Sequence, residues 1–269
     1  MRHYECLALA GLLAAGSALA QDERPKFSVP EPKAAERRTA PILMLTELQY
    51  QLTSQEDRFP TAIPELVRFF KGVGASKRLE TELSTNQLSA DNARLKQAAL
   101  VYMTGNQAQF QWGDPEKKGL GEYLRGGGLL YAEDIRASGA GGNLAGLDAG
   151  VEGTPFDRQF KALMRDPLVL GEQGGRWDKV GKGHPLFSAC FDFPDGPPRG
   201  GAPAGNVAEL EMLVLRGRVA VIFSDLNISW YWGDSSAESR ERGLQFGANL
   251  IVFAMAQRAG GPATRPGSP

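Results

Sequence analysis

The hydrophobic and polar positions of this chain change period several times, and each change marks an element. Pro41 to Leu52, PILMLTELQYQL, opens apolar and then alternates, as a first strand does. Thr61 to Lys71 places Ile63, Leu66, Val67 and Phe70 on one helical face, with Pro64 in the first turn, where a missing N–H does little harm. Leu79 to Leu83 reads as a short second strand. Ala98 to Met103, AALVYM, reads as a third, closed by Thr104, Gly105 and Asn106. A helix over Glu116 to Leu124 leads to Gly126–Asp134, GGGLLYAED, a buried strand that ends abruptly in two acids. Phe156 to Met164 is amphipathic at helical spacing. Leu213 to Phe223 is apolar around Arg216-Gly217-Arg218, the pattern of a hairpin, and Ala237 to Gln257 forms the final helix. Strands alternating with helices predict an α/β layered fold, a mainly parallel sheet with helices on both faces and right-handed crossovers.

In such a sheet the strand ends converge on one edge, and ligands bind in the crevice outside them. The residues delivered there are Gln49 and Tyr50, Thr104 to Asn106, Glu133 and Asp134, then Ser224, Asp225 and Asn227. Neighbouring strand residues point to opposite faces, so one of Glu133 and Asp134 is expected to enter the crevice. Three roles suit them: capping or ion pairing with Arg136 or Arg158, binding a divalent cation together with Asp225, or acting as a general acid or base.

Composition narrows these readings. The chain has 269 residues, is 42% hydrophobic and 23% charged, and carries a formal charge of -1, which suits one sizeable core and lacks the basic footprint of a nucleic-acid binder. Residues 1–20 read as a signal peptide: Arg2 and His3, an apolar run from Leu7 to Leu19, and Ala18-Leu19-Ala20 before Gln21. Its removal leaves no stable membrane span and implies a periplasmic or secreted protein. Residues 21–40, with Pro25, Pro30 and Pro32, form an expected flexible linker; residues 41–257 form a single domain, and 258–269 a disordered tail. Cys6 leaves with the leader. Cys190 then has no partner for a disulfide and is expected to be a buried structural thiol.

The ordered series AALVYMTG, EYLRGGG, LLYAED, FDRQF, GHPLF, RVAVIFSDLNISWYW and GLQFGANLIVFAM resembles an uncharacterised bacterial family, domain of unknown function 4159, over roughly Pro41 to Gln257. That resemblance implies a flavodoxin-like sheet similar to class I glutamine amidotransferases. In those enzymes a cysteine on a strained elbow follows the GGG-apolar strand. Here Glu133 falls at or next to that place and the elbow glycines are absent, so glutaminase activity is disfavoured.

His184 is the only histidine outside the leader, which excludes a zinc site built on several imidazoles; its Gly-His-Pro setting suits backbone hydrogen bonding or a ligand role. Trp230, Tyr231 and Trp232 suit either a sugar-stacking platform or the core. The glycine-rich Ser138–Gly153 segment suits a lid or an insertion and carries no phosphate-loop lysine. The expectation is therefore a binding domain of the cell envelope without catalysis. Its candidate contacts are Glu133, Asp134, Asp225, Asn227, His184, Asn106 and Trp230, its ligand a carbohydrate or an envelope protein. No cofactor is expected beyond a possible divalent cation. A carboxylate- or cation-dependent hydrolase and a structural envelope component are the alternatives.

Overall fold

The computed structural model describes residues 42–52, 59–77, 82–105, 109–135, 154–200, 209–233 and 239–260. All lie within the unit spanning Ala40–Pro269. In chain order the strands are β1 Ile42–Gln49, β2 Gln51–Leu52, β3 Glu82–Ser89, β4 Ala98–Gly105, β5 Phe110–Gln111, β6 Leu129–Asp134, β7 Arg176–Lys179, β8 Glu211–Leu215 and β9 Arg218–Ser224. The helices are α1 Ala62–Lys77, α2 Asp114–Arg125, α3 Pro155–Leu163, α4 Pro167–Leu170, α5 Ile228–Gly233 and α6 Arg240–Gly260.

Seven strands form one sheet in the order β3-β1-β4-β6-β9-β8-β7, and β2 pairs with β5 beside it. The first five of these run parallel, while β8 and β7 are antiparallel to their neighbours. Taken in chain order, the parallel strands stand second, first, third, fourth, fifth. The chain therefore leaves β1 in opposite directions toward β3 and β4, and the carboxyl ends of β1 and β4 flank the point where the strand order reverses.

Alternation along the strands builds a core on each face. Leu45, Leu100, Tyr102, Tyr131 and Ile222 pack under α1, α5 and α6, and Leu48, Val101, Met103, Leu130 and Phe223 pack under α2, α3 and α4. Gly105 belongs to the second face: a Cβ there would overlap the Phe156 ring, so the absent side chain lets α3 close over β4.

Several expected boundaries shift for physical reasons. The second strand runs over Glu82–Ser89 rather than Leu79–Leu83, because an edge strand pairs on one side only and tolerates the polar ELSTNQLS. Gly126 to Gly128 do not open β6; they close α2, their three N–H groups returning to carbonyls of its last turn. The segment holding Trp230 to Trp232, between the hairpin and the final helix, forms the helix α5. Residues 258–260, expected in the tail, are the end of α6. Strand β7 was not foreseen at all; it adds to β8 with a largely exposed RWDK sequence. The expected leader and linker, Arg136, the Ser138–Gly153 segment and Asn106 lie outside the described residues.

Candidate functional site

The two acids at the end of β6 are both buried, and they part company as strand alternation requires. Glu133 turns toward α5. Its carboxylate accepts from Tyr131 Oη at 2.8 Å, Ser224 Oγ at 3.0 Å, Ile228 N at 2.6 Å, Ser229 N at 2.9 Å and the Ser229 hydroxyl. Two of these donors are orphan backbone N–H groups of the first turn of α5, so Glu133 caps that helix from 95 residues away. Tyr102 completes the cluster by donating to Ser229 Oγ at 2.7 Å. Burial raises the Glu133 pKa above its ordinary value, although the hydrogen bonds from Ser229, Tyr131 and the backbone pull it back. Burial, then the nearby Glu133 charge, also pushes the Tyr102 and Tyr131 hydroxyls well up. Every lone-pair direction of Glu133 is thus engaged by protein, and its chemistry is structural.

Asp134 turns to the other face and accepts from Thr154 Oγ1 at 2.5 Å. Thr154 is the N-cap of α3, its hydroxyl accepting from Asp157 N at 3.2 Å. One turn on, Lys161 Nζ reaches Asp157 Oδ1 at 3.1 Å and Glu211 Oε2 at 2.6 Å. Its ammonium also lies 5.1 Å from the centre of the Phe223 ring. Partial burial works to lower the Lys161 pKa, but Glu211 and Asp157 outweigh it and the net shift is upward. The chain of Asp134, Thr154, Asp157, Lys161 and Glu211 therefore ties α3 to the sheet.

The remaining candidates scatter. Asn227 is buried and stands at φ 54°, a left-handed turn that asparagine tolerates, where its carbonyl accepts from Trp230 N and starts α5. Asp225 and Trp230 are half-buried nearby, and Trp230 rests against Tyr231 with ring centres 4.9 Å apart. Trp232 is core: it packs on Tyr102 and Tyr131 and donates from Nε1 to Gly243 O at 2.8 Å. His184 does not join them. Its Nδ1 accepts from Leu186 N at 3.2 Å and its ring meets Phe253 edge-on at 5.3 Å. Phe253 lies about 15 Å along α6 from Gly243, toward the end where Gln257 bonds Val219 at the start of β9. Burial holds the His184 pKa below its ordinary value. Cys190 is half-buried, not fully buried, in a turn whose N–H groups at Cys190 and Phe191 donate to Asn249 Oδ1. Among the described residues no group of three or more His, Cys, Asp and Glu side chains could hold a metal ion.

An open hollow at the order-reversal point was legible only in part. It measures about 430 Å³ and is lined by Gln49, Tyr50, Gln51, Ser89 and Glu116. Tyr50 crosses from β1 to β4 by donating to Thr104 O, and its ring stands edge-on to Phe110. Convergence of strand ends anticipates Gln49 and Tyr50. Ser89 and Glu116 come from the missed end of β3 and from the first turn of α2. The hollow lies three strand spacings from β9, about 14 Å away, so Asp225 and Trp230 are not part of it.

No helix among the described residues is long and apolar enough to cross a membrane. No curated protein matches the chain. The family described as "Domain of unknown function (DUF4159)" matches residues 44–255. That span begins inside β1, ends inside α6 and takes in every strand of the sheet; the chain belongs to this family.

Proposed function

We propose that this chain is an exported, flavodoxin-like domain, related to class I glutamine amidotransferases, that binds an envelope ligand without transforming it. One observation carries the reading: the acid at the strand end, where the related enzymes hold a nucleophile, is fully engaged in capping α5. The spatial order of the parallel strands, second-first-third-fourth-fifth, is that of flavodoxin-like sheets and supports the fold assignment.

The ligand site of this reading is the hollow at Gln49, Tyr50, Gln51, Ser89 and Glu116, whose amides, hydroxyls and carboxylate suit the vicinal hydroxyls of a carbohydrate. Tyr50 adds a half-exposed ring against which a sugar face can rest. A hydrolase reading rests on the Thr154 hydroxyl donating to the buried Asp134 carboxylate. The same hydroxyl accepts from Asp157 N and caps α3, which gives the pair a structural role as well.

Thermal unfolding of the full chain across envelope-derived oligosaccharides and divalent cations tests the proposal, since a ligand of the folded state raises the midpoint by mass action. The expected result is a dose-dependent rise with a sugar, lost in Gln49→Ala and Tyr50→Ala and kept in Asp134→Asn. Turnover of the sugar that disappears in folded Asp134→Asn would replace binding by hydrolysis. Absence of any shift would overturn the carbohydrate reading and leave a protein partner or a structural role.

A further inference from the structure

The amino edge of the parallel strands, opposite the hollow just described, carries a second cavity of about 340 Å³. Arg125 comes to it from the last turn of α2, and the Gly126–Gly128 turn forms one wall. Arg216 and Arg218 come from the β8–β9 hairpin. The other described lining side chains are Leu124, Leu215, Val219 and Ala220, so three arginines border one cavity and none of its described lining residues carries a carboxylate. In a chain with a formal charge of -1, that is a local excess of positive charge.

Two features show that Arg125 and Arg218 are held there by the fold, and a third marks Arg216. Arg125 Nη1 is fixed by the carbonyls of Leu168 at 3.0 Å and Val169 at 2.5 Å, leaving its other N–H groups for a second partner. Gly127 stands at φ 92°, and a Cβ there would meet Arg218 Nη1 at 2.5 Å, so the bare backbone makes room for that guanidinium. The two-residue turn of the hairpin is Arg216-Gly217 at φ 53° and 79°, a turn in which asparagine is favoured first and a long side chain is strained. Arg216 and the half-buried Arg218 make no hydrogen bond or ion pair among the described residues. The exposed Arg216 and the half-buried Arg218, with no partner among the described residues, stand beside glycine backbone; such guanidinium groups are complementary to a tetrahedral oxyanion, which takes paired N–H donors from arginine.

We propose that this cavity binds a phosphate-type oxyanion, such as a pyrophosphate or phosphodiester group, between Arg125, Arg216 and Arg218. The volume lies at the lower end of small-molecule sites, about 300–1,000 Å³, and so fits one or two phosphate groups rather than a whole nucleotide. A soluble pyrophosphate compound and the headgroup of an anionic lipid present the same chemistry. The inference is independent of the carbohydrate site, because the two cavities share no residue.

Calorimetric titration of the full chain with pyrophosphate, and sedimentation with phosphatidylglycerol vesicles against phosphatidylcholine vesicles, distinguish the two sources. Saturable pyrophosphate binding, weakened by salt and about tenfold or more in Arg218→Gln, is the expected result. Binding to the anionic vesicles alone would assign the site to a lipid headgroup. Arg216→Asn guards against a folding artefact: asparagine relieves the turn, so the unfolding midpoint should hold or rise while affinity falls. Equal affinity in Arg216→Asn, Arg218→Gln and the unmodified chain would overturn the proposal. So would the absence of saturable binding to either probe.

Discussion

Replacing Glu133 separates a capping carboxylate from a functional one. In Glu133→Gln the amide oxygen can keep Tyr131, Ser224 and Ile228 N, but the amide nitrogen then faces Ser229 N–H, donor against donor. One buried backbone N–H is left without an acceptor, a cost of about 2 kcal/mol. Glu133→Ala orphans both the Ile228 and Ser229 N–H groups, which cannot rotate away as hydroxyls can, for about 4 kcal/mol. For a domain of this size about 2–4 °C of midpoint accompanies each kcal/mol, so the expected falls are about 4–8 °C and about 8–16 °C. Differential scanning calorimetry reads both.

The pH dependence adds a second, independent reading. Because burial raises the Glu133 pKa, the folded protein holds this proton more tightly than the unfolded chain does. Its stability advantage over Glu133→Gln should be full below the ordinary value of 4.5 and shrink as pH climbs through the raised folded-state value. An unchanged or higher midpoint for Glu133→Ala at pH 5 would refute the capping account. It would indicate instead a carboxylate kept buried at the expense of stability, the usual mark of a functional group.

Three further outcomes follow from neighbouring contacts. Gly105→Ala forces a methyl into the Phe156 ring and should cost about 1–3 kcal/mol, seen as an earlier urea midpoint at constant slope. Thr154→Val removes both the cap of α3 and the donor to Asp134; a loss of about 2 kcal/mol is expected, and Thr154→Ser should restore most of it. His184 has a lowered pKa, so the unfolded chain takes up its proton first; stability relative to His184→Asn should be constant above pH 6.5 and decline as pH falls below it.

What sequence reasoning recovered, and what it missed, divides by the range of the interaction. Strands β4 and β6 were legible because AALVYM and LLYA are buried on both faces and need no partner to announce them. The β8–β9 hairpin was legible because Arg-Gly-Arg interrupts two apolar runs. Helix α5 was not: it is too short to show a helical period behind Asn227, and the acceptor for its first N–H groups is Glu133, 95 residues away. Likewise β7 exists because β8 offers it an edge, and RWDK carries no apolar alternation. Opposite faces for Glu133 and Asp134 followed from strand geometry alone. Their partners did not, since Ser224, Ile228 and Ser229 lie more than 90 residues from Glu133.

The two edges of the sheet use charge in opposite ways. At the carboxyl edge, where open α/β sheets in general bind their ligands, Glu133 faces the N-terminus of α5 and Asp134 reaches α3 through Thr154, so each acid answers the positive end of a helix. That arrangement stabilises the short helices over the strand ends and leaves the Glu133 carboxylate no open lone pair. At the amino edge the helix ends are negative, and Arg125 answers this at the carbonyls of α4. Arg216 and Arg218 go beyond that need. They extend from a hairpin turn that an asparagine would make with less strain, beside backbone cleared of side chains at Gly127. A fold that only had to stand would gain from relaxing that turn. The retained strain places two uncommitted charges at the edge where the strands begin.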